Sequence, residues 1–86
     1  MINKYIIEND NYKCWYLNNK LHREDGPACE YDNGDKEWYQ HGHLHRVDGP
    51  AIEDAGGYKA WYYHGKQINC SSQHMFKRMI KLLAFE

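Results

Sequence analysis

The sequence has no long apolar segment, few aliphatic residues and no excess of charge of either sign. No run approaches the roughly 18 apolar residues that a membrane-spanning helix needs, so we expect no contact with a membrane. Residues 1–10 lack the basic region, apolar stretch and cleavage site of a signal peptide. The formal net charge of −1 disfavours general binding to DNA or RNA, which relies on concentrated positive charge.

Cysteines are also few. Cys14, Cys29 and Cys70 are odd in number and far apart, which disfavours a disulfide framework and favours reduced thiols in a cytoplasm. Leu, Ile, Val and Phe number only 14 of the 86 residues, whereas Trp, Tyr and Phe number 13. We therefore expect a single domain over residues 1–86, with an aromatic core and little room for a deep active-site cleft.

The chain repeats itself at an interval of 23 residues. Trp15, Trp38 and Trp61 are each followed by a tyrosine and preceded, two positions earlier, by a lysine. Leu-His-Arg at 21–23 returns at 44–46, and the Asp-Gly-Pro-Ala that follows it returns at the same interval. This pattern indicates a repeat protein with two full and two partial copies.

Turn signals about ten residues apart divide each copy into short strands. The Asn33-Gly34 pair predicts a two-residue type I′ hairpin turn, with positive φ at both positions. Residues 36–40 then predict an aromatic strand, and His41-Gly42 a further turn. We expect an antiparallel β-meander over residues 5–69, in which each strand pairs with the next.

The last segment, residues 71–85, departs from the repeat and predicts an amphipathic helix. Ser71 and Ser72 offer an N-cap. One helical face would carry Met75, Phe76, Met79, Ile80 and Leu83, and the basic residues Lys77, Arg78 and Lys81 lie away from it. Because a stack of repeats needs a cap on its exposed end, the predicted fold is mainly β with one C-terminal α-helix as the cap.

The string Trp-Tyr-x-x-Gly-x-Leu-His-Arg-x-Asp-Gly-Pro-Ala resembles a MORN-like repeat, in a variant found in proteins of tailed phages and giant viruses. The resemblance covers roughly residues 5–69, with a helix as a recurrent ending. Asp-Gly-Pro stands where standard MORN repeats have Gly-x-Gly, so the lipid-binding role proposed for some MORN proteins is not carried over. The resemblance implies a β-meander, no intrinsic chemistry, no cofactor and a viral accessory role. By analogy, such a protein blocks a host defence by stoichiometric binding.

Two sets of side chains are candidate binding residues. The pairs His22-Arg23 and His45-Arg46 precede the Asp-Gly-Pro turns, where they form either an anion pocket or a structural tie to a turn carbonyl or Asp. The second set lies on the strand face opposite the tryptophans and comprises Tyr16, Tyr39 and Tyr62. With the tryptophans taken as core, the tyrosine face becomes the candidate surface for a protein partner, because exposed aromatics near arginine are typical of hot spots.

Neither a catalytic nor a metal-binding arrangement is indicated. His41, His43 and His45 would share one face of a strand, but Gly42 predicts a turn that scatters their rings. The preferred hypothesis is therefore a non-enzymatic protein that binds and inhibits a host protein in the cytoplasm. The alternatives are a sponge for a nucleotide, held by Arg, His and Tyr, and a structural module that self-associates through its open N-terminal edge strand.

Overall fold

The structure is a computed structural model that describes residues 2–83. Over that range the chain forms ten short strands followed by one helix. The strands are β1 Lys4–Glu8, β2 Tyr12–Leu17, β3 Lys20–Leu21, β4 Cys29–Tyr31, β5 Lys36–Glu37, β6 Tyr39–Gln40, β7 His43–Leu44, β8 Ile52–Glu53, β9 Lys59–Tyr63 and β10 Lys66–Ile68. Helix α1 spans Gln73–Leu83. The predicted mainly-β fold with one C-terminal helix is confirmed.

The strands form an antiparallel sheet from which hairpins branch at the repeat interval. Seven strands pair in the order β1-β2-β4-β5-β8-β9-β10, and β3 pairs with β2 outside this path. Within residues 2–83, β6 and β7 pair only with each other, whereas β5 continues the sheet by pairing with β8. The sheet therefore differs from the predicted meander, in which each strand pairs with the next. The β6–β7 hairpin lies between β5 and β8 in the sequence but not in the sheet.

Each tryptophan marks the point at which the chain changes pairing partners. In β2, residues 12–14 pair with β4, whereas Tyr16 and Leu17 pair with β3. The strand predicted over residues 36–40 is accordingly divided into β5 and β6 on either side of Trp38. Trp38 still donates its backbone N–H to Ala51 O (2.8 Å) and accepts at its own carbonyl from His45 N (3.0 Å).

The turn at Asn33-Gly34 is not the predicted type I′ turn. Gly34 has a φ of 101°, but Asn33 lies outside the positive-φ region. Gly34 N donates to Tyr31 O at 2.9 Å, which is typical of a three-residue loop that ends in a left-handed glycine. The strand register explains the difference, because Tyr31 N donates to Asp35 O at 2.9 Å and so leaves three residues, not two, in the loop. The Asn33 Oδ1 also accepts Asp35 N at 2.9 Å.

Two-residue turns with positive φ at both positions close the branching hairpins instead. They occur at Asn18-Asn19, His41-Gly42 and His64-Gly65. Neighbouring hairpins are hydrogen-bonded at these turns, since Gly42 N donates to Leu21 O and Gly65 N to Leu44 O, both at 2.8 Å. The hairpins therefore stack in a row at the spacing of the repeat.

Small residues and the helix, not the tryptophans, form the core. In the part of the chain that the structure describes, the buried hydrophobic residues are Cys14, Ala28, Cys29, Ala51, Ala60, Ile68, Phe76 and Ile80. Trp15, Trp38 and Trp61 are only half-buried, so the expectation of a tryptophan core is wrong. The physical reason is the flat shape of the molecule, 37 × 36 × 17 Å, which leaves most of each sheet face without a second layer to cover large rings.

Helix α1 covers the third copy of the repeat. It begins after Ser72, whose Oγ accepts Met75 N at 3.1 Å, as the predicted N-cap requires. Phe76 and Ile80 pack against Ile68, and the partly buried residues around them are Trp61, Tyr63, Cys70, Met79 and Leu83. Met75, expected on the apolar face, is 43% exposed. Residues 84–85 of the predicted helix lie outside the described residues.

Replacing Phe76 tests whether this packing holds the helix in place. Phe76 is fully buried, so we expect Phe76→Ala to lower the free energy of unfolding by about 3–5 kcal/mol in urea denaturation. Leu82→Ala is the matched control on the same helix, because Leu82 is 72% exposed, and we expect a change within about 0.5 kcal/mol. Equal effects of the two substitutions would contradict the packing described.

Candidate functional site

Both full copies of the repeat place an arginine over the face of a tryptophan. The guanidinium carbon of Arg23 lies 3.7 Å from the centre of the Trp15 ring, and that of Arg46 lies 3.8 Å from Trp38. Both distances are typical of a cation–π contact.

The hydrogen bonds of the two guanidinium groups are equivalent. Arg23 Nε donates to Asp25 at 3.0 Å, while Nη1 donates to the Pro27 carbonyl and to Glu30 at 3.1 and 3.2 Å. Arg46 makes the same bonds to Asp48, the Pro50 carbonyl and Glu53, at 3.0, 3.0 and 2.8 Å.

These contacts use the Nε and Nη1 donors of each guanidinium and set two carboxylates against its single positive charge, which disfavours binding of an external anion. Each contacts two carboxylates, and the Arg23 and Arg46 side chains are only 22% and 20% exposed. The glycine of the Asp-Gly-Pro turn makes room for them, since a Cβ on Gly49 would lie 2.6 Å from Arg46 Cζ. The geometry therefore favours the structural tie over the anion pocket for this part of the repeat.

The two candidate histidines join neighbouring copies. Nδ1 of the buried His22 accepts His41 N at 2.9 Å, so Nε2 carries the proton and donates to Glu24 Oε1 at 2.6 Å. His45 Nδ1 accepts His64 N at 2.8 Å in the same way. Burial lowers the pKa of His45, and the neighbouring His64 lowers it further.

The three candidate tyrosines are half-buried within the sheet. Tyr16 stacks on Tyr5 with ring centres 5.0 Å apart. The Tyr39 hydroxyl donates to Glu37 Oε1 at 3.4 Å, and burial together with the charge of Glu37 raises the pKa of Tyr39 to about 12. Tyr62 contributes its carbonyl, which accepts Arg46 N at 3.3 Å. The tyrosines thus lie in separate contacts along the sheet.

A pair of buried thiols lies on the same face of the sheet as Tyr16. Cys14 and Cys29 are directly opposite each other across β2 and β4. Burial, followed by the contact with Cys14, raises the pKa of Cys29 well above its usual range. Thiols in such surroundings are unreactive, and the sequence spacing of the two cysteines had not indicated that they are neighbours.

Two open grooves lie along the tryptophan face. The first, about 890 Å³, is lined by Trp15, Leu17 and His22, together with Ile2 and Ile6 at the sheet edge. The second, about 590 Å³, is lined by equivalent positions one repeat later, Trp38, Gln40 and His45, together with Val47 and the two arginines. The grooves therefore recur with the repeat.

In the third copy of the repeat, helix α1 lies at the position that corresponds to the two grooves. Trp61, Tyr63 and Ile68 stand 23 residues beyond the lining of the second groove. Ile68 forms a cluster with Phe76 and Ile80 of α1, and Trp61 and Tyr63 pack against that cluster. Trp61 Nε1 donates to Gln73 Oε1 at 2.8 Å, and Gln73 Nε2 donates to Val47 O at 2.9 Å. Asn69 stands where the third arginine would be, so the last tryptophan has no arginine of its own repeat to stack on it and contacts α1 instead.

Sequence reasoning had identified His22, Arg23, His45 and Arg46 but had not found the role of Gln73. The missing arginine at Asn69 was the available signal that another group covers Trp61.

Comparison with known protein families, curated proteins and solved structures finds no match. Within residues 2–83 no helix is long and apolar enough to cross a membrane. The same range holds no group of three His, Cys, Asp or Glu placed to bind a metal ion.

The arginine stack makes a prediction about a substitution that keeps the charge. A lysine at position 46 retains one positive charge but loses the planar fork, so Arg46→Lys should lower the free energy of unfolding by about 1–3 kcal/mol. Urea denaturation measures this effect. Lys66→Arg, at the start of β10, is the control and should change stability by no more than about 0.5 kcal/mol. A neutral Arg46→Lys would show that the stack does not stabilise the fold.

The hydrogen bonds that His22 and His45 accept from the next copy predict that stability depends on pH. The folded protein holds the pKa of His45 below its unfolded value, so the folded state binds fewer protons and stability falls as pH drops through about 6.5. Protonation of Nδ1 also removes the acceptor for His64 N. The melting temperature should therefore fall less steeply with acidification in His45→Gln than in wild type. His74→Gln, on the exposed side of α1, should keep the wild-type slope.

Proposed function

We propose that this protein is non-enzymatic and acts by binding a partner protein stoichiometrically through the grooves in front of Trp15 and Trp38. The proposal rests mainly on the third copy, where α1 fills the equivalent place. In the first two copies, the same tryptophan edge and strand face are exposed in grooves large enough for side chains of a partner.

The occupant that these grooves fit is an amphipathic helix with a basic polar face. Helix α1 supplies the template, because it inserts Phe76 and Ile80 at helical spacing and places Gln73 on the indole N–H. Charge supports the same occupant. Residues 1–69 carry eight Lys and Arg against eleven Asp and Glu, a net charge of −3, whereas α1 carries three basic residues and no acidic one.

The resemblance to repeats of tailed phages and giant viruses favours a host protein as the partner. A chain of 86 residues that covers a surface of a defence protein would inhibit it without any chemistry of its own. The nucleotide-sponge alternative needs arginines that are free to bind phosphate. Arg23 and Arg46 each already contact two carboxylates, so we prefer protein binding.

A peptide with the sequence of residues 71–83 tests the grooves directly. It is added to the ¹⁵N-labelled whole protein, and the three tryptophan indole N–H signals are followed by NMR. We expect the signals of Trp15 and Trp38 to shift in a saturable manner. The signal of Trp61 should stay in place, because its N–H is already bonded to Gln73.

The control peptide carries Asp at the position of Phe76 and should shift none of the signals. Movement of the Trp61 signal alone would mean that the peptide merely displaces α1, which would contradict the proposal. Absence of any shift at millimolar peptide would contradict it as well. A host protein captured from lysate supports the proposal only if the wild-type peptide displaces it and the control peptide does not.

A further inference from the structure

Strand β1 forms an open edge of the sheet. In residues 2–83 it pairs only with β2, so one side of its backbone has no partner strand. At five residues it is among the longer strands, and its Ile6 and Ile7 side chains are 47% and 44% exposed. Edges of this kind are templates for pairing with another strand unless something covers them.

The register with β2 determines which backbone groups face outward. Asn18 N donates to Asn3 O, and Asn9 N donates to Tyr12 O, at 2.7 and 2.9 Å. Hydrogen-bonded pairs alternate along an antiparallel ladder, so Tyr5 and Ile7 also direct their backbone groups toward β2. The N–H and C=O groups of Lys4, Ile6 and Glu8 therefore point away from the sheet.

The segment Lys4–Glu8 is complementary to itself when it is read in the opposite direction. An antiparallel pair centred on Ile6 places Ile6 opposite Ile6 of the partner subunit. Lys4 then faces Glu8 of the partner subunit, and Tyr5 faces Ile7 of the partner subunit. In this arrangement Lys4, Ile6 and Glu8 each form a hydrogen-bonded pair with a residue of the partner subunit. At each end of the paired strands, a lysine and a glutamate side chain lie opposite each other on the same face of the sheet.

We propose that two copies of this chain pair through β1 about a two-fold axis at Ile6, so that their sheets join into one. A closed two-fold contact uses the same edge of both copies and leaves no β1 edge exposed. Only five residues pair on each side, and we therefore expect a concentration-dependent dimer in the high-micromolar range. This inference does not depend on the occupant of the grooves.

The test exchanges charges at the two ends of β1. Lys4→Glu and Glu8→Lys each replace two opposite-charge pairs in the dimer with two like-charge pairs, so the dissociation constant measured by sedimentation equilibrium should rise about tenfold or more. An equimolar mixture of the two variants should associate as wild type does, because Glu at position 4 then faces Lys at position 8.

The second test variant is Ile6→Pro, a single substitution carried by both subunits. The Ile6 N–H faces outward and is not used within the β1–β2 pair, so the proline should abolish the dimer while the monomer stays folded. The unfolding transition of every variant is measured alongside, since Glu8 also lies 3.8 Å from Lys13 in its own chain. A monomeric wild type at millimolar concentration, or a mixture that stays monomeric, would overturn the proposal.

Discussion

The stack of arginine on tryptophan holds each full repeat in shape. Arg46 lies on the Trp38 ring and ties together the Asp-Gly-Pro turn and Glu53 of β8. The flat sheet has no second layer over these copies, so the guanidinium and its partners cover one face of the indole in place of an aliphatic core. The requirement for glycine in the turn follows, because any side chain at Gly49 would displace the arginine.

The third copy of the repeat differs from the first two at the residues near its tryptophan. Asn69 replaces the arginine, Ile68 replaces the histidine, and Phe76 and Ile80 of α1 pack on Ile68. The repeated tryptophan thus has two kinds of partner, a salt-bridged arginine in two copies and the apolar helix in the third. The grooves lie beside the two tryptophans that carry the charged stack.

Much of the fold follows from sequence periodicity, and its departures have local causes. The 23-residue interval predicted the recurring hairpins, and the apolar spacing after Ser72 predicted α1. The type I′ turn predicted at Asn33-Gly34 was wrong, because the strands pair Tyr31 with Asp35 and leave a loop of three residues. The tryptophan core was wrong, because helix and sheet together do not cover three such rings. Of the site, the His-Arg pairs were visible as repeats, whereas the bond from Trp61 to Gln73 occurs once and depends on where the helix lies.

The histidine ties have a consequence for how such a protein grows during evolution. Each tie joins a ring to the backbone N–H nineteen residues further on, within the next copy of the unit. Duplication of one whole 23-residue unit inside the gene would therefore recreate every inter-unit bond without altering an existing one. Each duplication would add one groove to the tryptophan face while the terminal helix remained single. A change in copy number alone would therefore lengthen the row of grooves.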